Sequence, residues 1–373
     1  MAGSGEAYLA LPIIRRSHNF YLASYPSIQG VGSSFYGLAA AVETCVDVYL
    51  ISNGTYAHHK SIHMQAGDVY QEYSSSGDFT GLNVQSAQGV AVFSGHECAQ
   101  VPVGLQYCDH LLEQMPPTHE WDDEMVVPGI PGRNPKAGYT VRIIAAEEVN
   151  VSCLYSGTEV YLSEVHGCDC SGRGYERIEF GKCTQPCTIL QAEFIELNVT
   201  DATKAVLVKC RPRCMVVQYG HSRQKVADEK DDPDPFMAVI TPTSHYARDM
   251  SYVTPDYLDP TRDKLLDHAN YLAIVVPTAE EGGVLFDGEE LSPAGKMTLD
   301  RYTVMSVHRI SDGQHKIEHA KRNVRIGAFA YGNTPAKSET RPAARSSYGF
   351  PVVYRGKHIN SALDITPGCY SIT

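Results

Sequence analysis

The sequence has 373 residues, 43% of them hydrophobic and 20% charged, a composition typical of globular rather than disordered proteins. Its formal net charge of −12 argues against a nucleic-acid partner, which would require a basic surface. No stretch approaches the roughly 20 apolar residues that span a bilayer, so no membrane insertion is expected.

The cysteine content and the sequons favour an extracellular protein. The chain contains 11 cysteines, many for a cytosolic protein of this length. The odd total leaves at least one cysteine free or bonded to another chain. Sequons at Asn53, Asn150 and Asn198 predict glycosylation of a secreted chain. We therefore expect secretion, although the first 20 residues lack a basic region and a small-residue cleavage site and are not a convincing signal peptide.

The apolar segments are typical of β-strands. They are short, rich in β-branched and aromatic residues, and bounded by Gly, Pro, Asn or Asp. Only two short helices are expected, at Arg262–Leu272 and Cys108–Met115. The predicted fold is all-β, with two to three packed antiparallel β-sandwich-like units that have long loops and are pinned by disulfides.

A strand ending in an aromatic residue and a glycine occurs three times. The glycines are Gly95, Gly220 and Gly332, and this period favours comparable β units over a short-repeat solenoid.

Stretches rich in Pro, Gly and charged residues separate the predicted units. The predicted division is an N-terminal β unit (1–115, with a start that could be truncated), a linker or long loop (116–138), a central Cys-rich β unit (139–225), a connecting segment with a short helix (226–269) and a C-terminal β unit (270–373).

The stretch Phe93–Pro117 contains two Cys and two His residues in close sequence. A disulfide between Cys98 and Cys108 would close a short loop, with roughly 2–3 kcal/mol of stabilisation in the chain-entropy model. A zinc site that adds His96 and His110 is an alternative, although the spacing lacks the paired knuckles of such sites. A reactive Cys108 thiolate at the start of a short helix is another.

Seven of the other nine cysteines form a second cluster, in which three pairs have C-x-C or C-x₃-C spacings. Prolines within "CTQPC" and "CRPRC" favour cystine-pinned hairpins over a metal site. The pairing is not readable from the sequence, because six cysteines alone allow 15 connectivities. The cluster comprises Cys153, Cys168, Cys170, Cys183, Cys187, Cys210 and Cys214.

Two acidic runs, at 119–124 and 228–235, lack the spacing of a calcium loop and are interpreted as solvated linkers. Trp121, the sole tryptophan, lies in the first run. An exposed Trp would be a candidate binding-surface residue, and a Trp that tethers the loop to the core is the alternative.

No catalytic or cofactor motif is present. The sequence lacks G-x-S-x-G, H-E-x-x-H, a P-loop and a dinucleotide-binding fingerprint. We therefore predict no enzyme activity, no catalytic residues and no cofactor. The chain has 23 Tyr but only 10 Phe residues. Because Tyr combines an apolar ring with a polar hydroxyl, this excess is typical of partly exposed β surfaces that bind partners.

An ordered series of motifs resembles the N-terminal domain family of the IgG-Fc-binding protein. The series contains "VAVFSGHECAQVP", "YCDHLLEQMPP", "EW", "VVPGIPGR", "GYTVRIIAAEE", "VVQYG", "DPFMAVITP", "YLAIVVPTA", "LFDG", "GQHKIEH", "FAYG" and "SYGFP", and it runs from about residue 80 to residue 351.

This resemblance implies an extracellular β-rich binding region without known catalysis, in which the cysteines that match Cys98 and Cys108 form a structural pair. It gives no residue a role in antibody binding, and the segment from Cys168 to Cys187 departs from the general pattern.

The predicted function is a secreted, non-enzymatic recognition or adhesion module. Its expected partner is an extracellular protein or glycan, in the form of a glycoprotein, a mucus component or a microbial surface, bound through loops on a β scaffold. One alternative is a structural protein that cross-links chains through an odd cysteine, such as Cys45 or Cys369, as a disulfide-linked oligomer. A second alternative is an enzyme with a Cys/His metal site.

Overall fold

The computed structural model describes residues 7–11, 18–52, 55–105, 107–155, 158–161, 177–179, 187–222, 234–255, 258–259, 264–265, 269–333 and 347–355. The all-β prediction is confirmed, since the described residues form antiparallel sheets almost throughout. Within them, no helix is long and apolar enough to cross a bilayer. Their helices are short 3₁₀ turns at Thr118–Glu120, Pro135–Ala137, Thr243–His245 and Thr278–Gly283.

The N-terminal unit contains eight strands, whose alternating apolar residues give each sheet one buried face. They are β1 (His18–Tyr21), β2 (Ser34–Ala40), β3 (Thr44–Ser52), β4 (Thr55–Met64), β5 (Val69–Ser74), β6 (Asn83–Ser86), β7 (Val90–Ala99) and β8 (Asp109–Gln114).

The central unit includes the longest strand, β16, which has 15 residues. Its strands are β9 (Asp122–Val127), β10 (Tyr139–Ile144), β11 (Val149–Tyr155), β12 (Thr158–Tyr161), β13 (Arg177–Glu179), β14 (Cys187–Ile189), β15 (Phe194–Val199), β16 (Val206–Gly220) and β17 (Met237–Val239).

The C-terminal unit completes the described fold. Its strands are β18 (Asp249–Val253), β19 (Leu258–Asp259), β20 (Lys264–Leu265), β21 (Ala269–Pro277), β22 (Val284–Phe286), β23 (Glu289–Glu290), β24 (Gly295–Leu299), β25 (Tyr302–Ile310), β26 (Gln314–His319), β27 (Gly327–Asn333) and β28 (Ser347–Pro351).

The three units share one topology. The first sheet of each runs β1-β6-β3-β4, β9-β16-β11-β12 and β18-β26-β22-β23. The second sheet runs β5-β2-β7-β8, β15-β10-β16-β17 and β25-β21-β27-β28. Strand β16 belongs to both sheets of the central unit, where the other units use two successive strands, β6 and β7 or β26 and β27. The described strands therefore repeat one plan of eight strand positions three times, with β13, β14, β19, β20 and β24 as additions.

A disulfide lies where β16 passes from one sheet to the other. Cys210 and Cys214 are bonded to each other, and the pairing with β9 shifts register between Lys209 and Cys214. Such a bulge bends a strand. The bond closes this corner at the place where the N-terminal and C-terminal units have an ordinary loop.

The three strands that end in an aromatic residue and a glycine occupy the same position in the three units. In the first of them, however, the glycine lies on the other face of the sheet. Val92 pairs with Leu38 in the core of the N-terminal unit, so Gly95, three residues later, lies on the opposite face. Gly332 instead lies on the same face as the core residue Ala330. A shift of one residue moves every side chain of a strand to the other face of the sheet. The recurring aromatic–glycine ending therefore identifies the same strand in each unit, but it does not show which face of the sheet the glycine lies on.

Both helix predictions are wrong. Asp109–Gln114 forms β8, and the described part of 262–272 consists of β20 and the beginning of β21. The segments 116–138 and 226–269, interpreted from composition as connectors, contain β9, β17 and β18, each paired within a sheet. Tertiary pairing outweighs local propensity at these places.

The N-terminal and central units each cover the outer face of the next unit's second sheet. Val217, Tyr219 and Met237 of the central unit belong to the same buried cluster as the core of the N-terminal unit. Likewise Phe329 and Tyr331 of the C-terminal unit belong to the core cluster of the central unit. The hydrophobic effect therefore holds the units together as well as forming each one.

Arg142 on β10 is the main polar connection between the first two units. Only 1% of its side chain is exposed, and it forms ion pairs with Asp78 (2.8 Å) and Glu196 (3.0 Å). Its Nη1 also donates to the Ser24 carbonyl (2.9 Å) and to Thr80 Oγ1 (2.8 Å). The guanidinium stacks with aromatic rings within 4.5–5.5 Å on both sides of the boundary, namely Tyr25, Phe194 and Tyr219.

We expect Arg142→Met to lower the free energy of unfolding by roughly 3–5 kcal/mol, because it leaves the buried Asp78 and Glu196 carboxylates unpaired. The matched control is Arg213→Met, which breaks an exposed pair with Glu147 (3.6 Å) and should cost less than about 1 kcal/mol. Urea unfolding followed by the fluorescence of the buried Trp121 measures both. Equal effects of the two substitutions would contradict a central role for Arg142.

Candidate functional site

An open cleft of about 640 Å³ lies on the N-terminal unit. Its walls are the loop of residues 27–33, which leads into β2, and Ser75 and Ser76, which follow β5. Glu97, near the end of β7, contributes the only carboxylate of the lining. The lining thus combines Ser and Gly residues with Gln29, one acidic side chain and two apolar side chains, Ile28 and Val31.

The 27–33 loop is held by its own hydrogen bonds. Ser27 Oγ shares its single proton between the carbonyls of Ser74 (2.5 Å) and Gly77 (2.6 Å), which flank Ser75 and Ser76. The Ile28 carbonyl accepts from the N–H groups of Val31 (2.9 Å) and Gly32 (3.2 Å). These bonds tie the loop to the segment after β5, close its turn and so fix the shape of the cleft.

The Cys98–Cys108 disulfide supports one wall of the cleft. It joins the end of β7 to the beginning of β8. Gly32 packs directly on this loop, and a Cβ at position 32 would lie 2.8 Å from the backbone nitrogen of Cys98. Glu97 and Ser33 also exchange bonds, since Glu97 Oε2 accepts from the Ser33 N–H (3.0 Å) and the Glu97 N–H donates to the Ser33 carbonyl (2.9 Å).

The two histidines beside this disulfide do not form a site with it. His96 is buried, and its Nδ1 accepts from the Cys98 N–H (3.0 Å). His110 stacks on Phe35 with ring centroids 5.5 Å apart. The two sulfurs are bonded to each other and so supply no thiolate. In the part of the chain that the structure describes, no group of three or more His, Cys, Asp or Glu residues could hold a metal ion.

The other predicted cysteines are only partly described. Cys153 and Cys187 lie in β11 and β14, while Cys168, Cys170 and Cys183 fall outside the described residues. Cys45 is disulfide-bonded, which removes it as a candidate for linking chains. Cys369 lies outside the described residues.

Trp121 is a core residue, not a contact residue at the surface. Its side chain is 1% exposed, and its Nε1 donates to the Pro116 carbonyl (3.1 Å). It closes the 3₁₀ turn after β8, and Tyr246 closes the corresponding turn after β17. The prediction of a binding surface at Trp121 is wrong, because this aromatic residue anchors the passage from one unit to the next.

The first acidic run is not a solvated linker. Glu124 lies in β9 and is largely buried, and it accepts from Tyr302 Oη (2.6 Å) and Arg301 Nη2 (2.8 Å) of the C-terminal unit. Most of the second run, at 228–235, lies outside the described residues.

The sequons differ in accessibility. Asn150 is exposed on β11, where its Oδ1 accepts from Thr188 Oγ1 (2.8 Å). Asn198 is half-buried within β15, which has neighbours on both sides. Asn53 falls outside the described residues.

When the chain is expressed through a secretory pathway, we expect a glycan at Asn150 and little or none at Asn198, because a half-buried strand position leaves no room for the sugar. Enzymatic deglycosylation in ¹⁸O-water followed by peptide mass spectrometry locates each occupied site. An unmodified Asn150 beside a modified Asn198 would contradict this expectation.

Sequence reasoning missed both the cleft and the buried Arg142. The cleft had a signal in two Ser/Gly-rich stretches, "SIQGVGSS" (27–34) and "SSSG" (74–77), but nothing in the sequence shows that they meet. Arg142 is a single charge in an otherwise apolar strand, "YTVRII" (139–144). A lone charge inside such a strand implies a buried ion pair.

Buried carboxyl groups lie where β8 approaches the central unit. Burial, together with the nearby Asp234, raises the pKa of Asp109 from 3.8 to about 8. Burial also raises the pKa of Glu113 well above its ordinary value, although its Oε1 accepts from the Val239 N–H (3.2 Å). The protonated forms of these groups therefore favour the folded state.

The unfolded chain releases the Asp109 proton near pH 4, whereas the folded chain holds it to about pH 8. Ionisation of this group thus destabilises the fold progressively as the pH rises between these values. We expect Asp109→Asn, which retains the acceptor for the His110 N–H, to raise the free energy of unfolding by roughly 2–4 kcal/mol at pH 8 and very little at pH 4.

Urea unfolding at both pH values measures this difference. The control is Asp249→Asn at an exposed carboxyl, which should change stability little at either pH. An Asp109→Asn effect that is the same at pH 4 and pH 8 would show that the ionisation of Asp109 is not its cause.

Comparison with known proteins gives one consistent result. The family model described as IgGFc binding protein matches residues 6–166 and 173–332. The human IgGFc-binding protein is 39% identical over 72 residues, which cover 17% of this chain and 1% of that protein. No solved structure matches the chain.

Proposed function

Because the chain belongs to the IgGFc-binding protein family, we propose that it is a secreted, non-enzymatic recognition or adhesion module. Its ligand is an extracellular glycoprotein, such as a mucus component or a molecule on a microbial surface. The aligned stretch covers only 1% of the human relative, and for this reason the ligand is argued from the chemistry of the cleft.

The serine-lined cleft is the observation that carries this proposal. Its backbone amides and serine hydroxyls donate and accept hydrogen bonds, and Glu97 adds an acceptor. A ligand rich in hydroxyl groups matches this set better than an apolar ligand, because the lining has few large apolar side chains. The bonds of Ser27 to the segment after β5 also reduce the ordering that binding would require.

The arrangement of the cleft suits binding rather than covalent chemistry. Its serines have no histidine among the lining residues to act as a base. The nearby His96 is buried beneath the loop, and burial lowers its pKa to about 4. Its Nδ1 is already occupied by the Cys98 N–H.

We expect Ser75→Trp and Ser76→Trp to weaken ligand binding at least about tenfold, because an indole at either exposed position would fill the cleft. The control is Ser251→Trp, at an exposed position on β18 far along the chain. Biolayer interferometry measures binding to an immobilised mucin glycoprotein, to its enzymatically deglycosylated form and to IgG Fc.

Loss of binding in both cleft variants but not in the control supports the cleft as the binding site. Loss on deglycosylation of the mucin assigns the contact to the glycan, and retention assigns it to the protein part. If Ser75→Trp and Ser76→Trp bind as well as the Ser251→Trp control, the binding site lies elsewhere. Failure of the wild-type chain to bind any of the three ligands would contradict the proposed ligand class.

A further inference from the structure

The second sheet of the N-terminal unit has a bare edge at β5, and the other units cover the corresponding edge. In the central unit β15 is flanked by β13, and in the C-terminal unit β25 is flanked by β24. Among the described residues, β5 pairs with β2 alone. The repeated topology thus indicates where an additional strand belongs, and the described part of the N-terminal unit does not supply it.

Strand β5 lacks most of the features that usually protect an edge, and its only charged side chain is Glu72. Its sequence, VYQEYS (69–74), contains no Lys or Pro, and its pairing with β2 has no bulge. Val69 is 76% exposed and Tyr73 is 50% exposed on its outer face. An edge of this kind is a template for pairing with another strand.

The single charge on β5 is neutralised within the unit. Glu72 accepts from Lys60 Nζ (2.9 Å), Tyr36 Oη (2.7 Å) and Tyr70 Oη (2.8 Å). Burial by itself would raise the pKa of Glu72, but these hydrogen bonds outweigh it and lower that pKa to about 2. The carboxylate is therefore ionised and paired, and it does not repel an incoming strand.

The hydrogen-bond pattern shows which groups of β5 are free for a partner. The Ala40 N–H donates to the Asp68 carbonyl (3.0 Å), just beyond the Ala39–Val69 pair. Because bonded pairs alternate along an antiparallel ladder, Tyr70 and Glu72 bond to β2. The N–H and C=O groups of Val69, Gln71 and Tyr73 point outward, away from β2.

We propose that two copies of this chain associate by antiparallel pairing of their β5 strands about a two-fold axis at Gln71. This register places Val69 opposite the partner's Tyr73, Gln71 opposite the partner's Gln71, and Tyr70 opposite the partner's Glu72. Every outward backbone group then finds a partner, and no like charges face each other. The two second sheets become one eight-stranded sheet.

Other registers fit less well. Moving the axis to residue 72 would place two Glu72 carboxylates opposite each other, which is destabilising. Moving it to residue 70 would leave Tyr73 without a partner. The register at Gln71 also extends an aromatic surface across the dimer, because Phe35 lies beside Tyr73 with ring centroids 5.8 Å apart. A two-fold dimer of this kind is the commonest form of self-association.

Charge substitutions at Gln71 test both the dimer and its register. Sedimentation velocity of the whole chain should give a species of twice the 40.9 kDa chain mass. Gln71→Lys and Gln71→Glu should each weaken association roughly fivefold or more, because each puts like charges across the axis. An equimolar mixture of the two variants should recover the dimer, since Lys then faces Glu.

The matched control is Val253→Lys, at a 61% exposed valine on the edge strand β18, which should leave the dimer intact. Circular dichroism and the melting temperature of each variant report whether it folds. A wild-type chain that stays monomeric at the highest concentration measured would overturn the proposal. A dimer that neither Gln71 substitution weakens would also overturn it. So would an equimolar mixture of the two variants that stays monomeric, or a dimer that separates only when its disulfides are reduced.

Discussion

The buried guanidinium of Arg142 is the interaction on which the arrangement of the first two units depends. An unpaired charge in this position would be strongly unfavourable, so the structure must supply partners from both sides of the boundary. Asp78, Ser24 and Thr80 come from the N-terminal unit, and Glu196 comes from the central unit. These directional contacts select one orientation between two apolar surfaces that could otherwise slide over each other.

The repeated plan explains why the units stack in chain order. In each copy the second sheet keeps an apolar outer face, and in the central and C-terminal units the preceding unit buries it. The 3₁₀ turns closed by Trp121 and Tyr246 lead the chain from one unit into the next. Among the described residues, the N-terminal unit has the bare β5 edge and the serine-lined cleft.

The functional interpretation follows from this asymmetry. The three units share one strand plan, and in the N-terminal unit two Ser/Gly-rich segments meet over a disulfide-supported wall. A rigid scaffold with variable loops is a common way to carry recognition. The family membership and the chemistry of the cleft both favour binding, and the cleft begins directly after the β5 edge.

The sequence by itself determined the all-β class, because short β-branched segments between turn residues suit strands whatever they pair with. It also indicated a repeated strand and a disulfide candidate at Cys98 and Cys108. It could not give the facing of Gly95, the strand at 109–114 or the burial of Trp121, since these depend on partners distant in the chain. Only the tertiary structure brought residues 27–33 to residues 75–76 and placed Asp78 beside Arg142. Local propensity is encoded within a few residues, whereas clefts and buried ion pairs arise from long-range pairing.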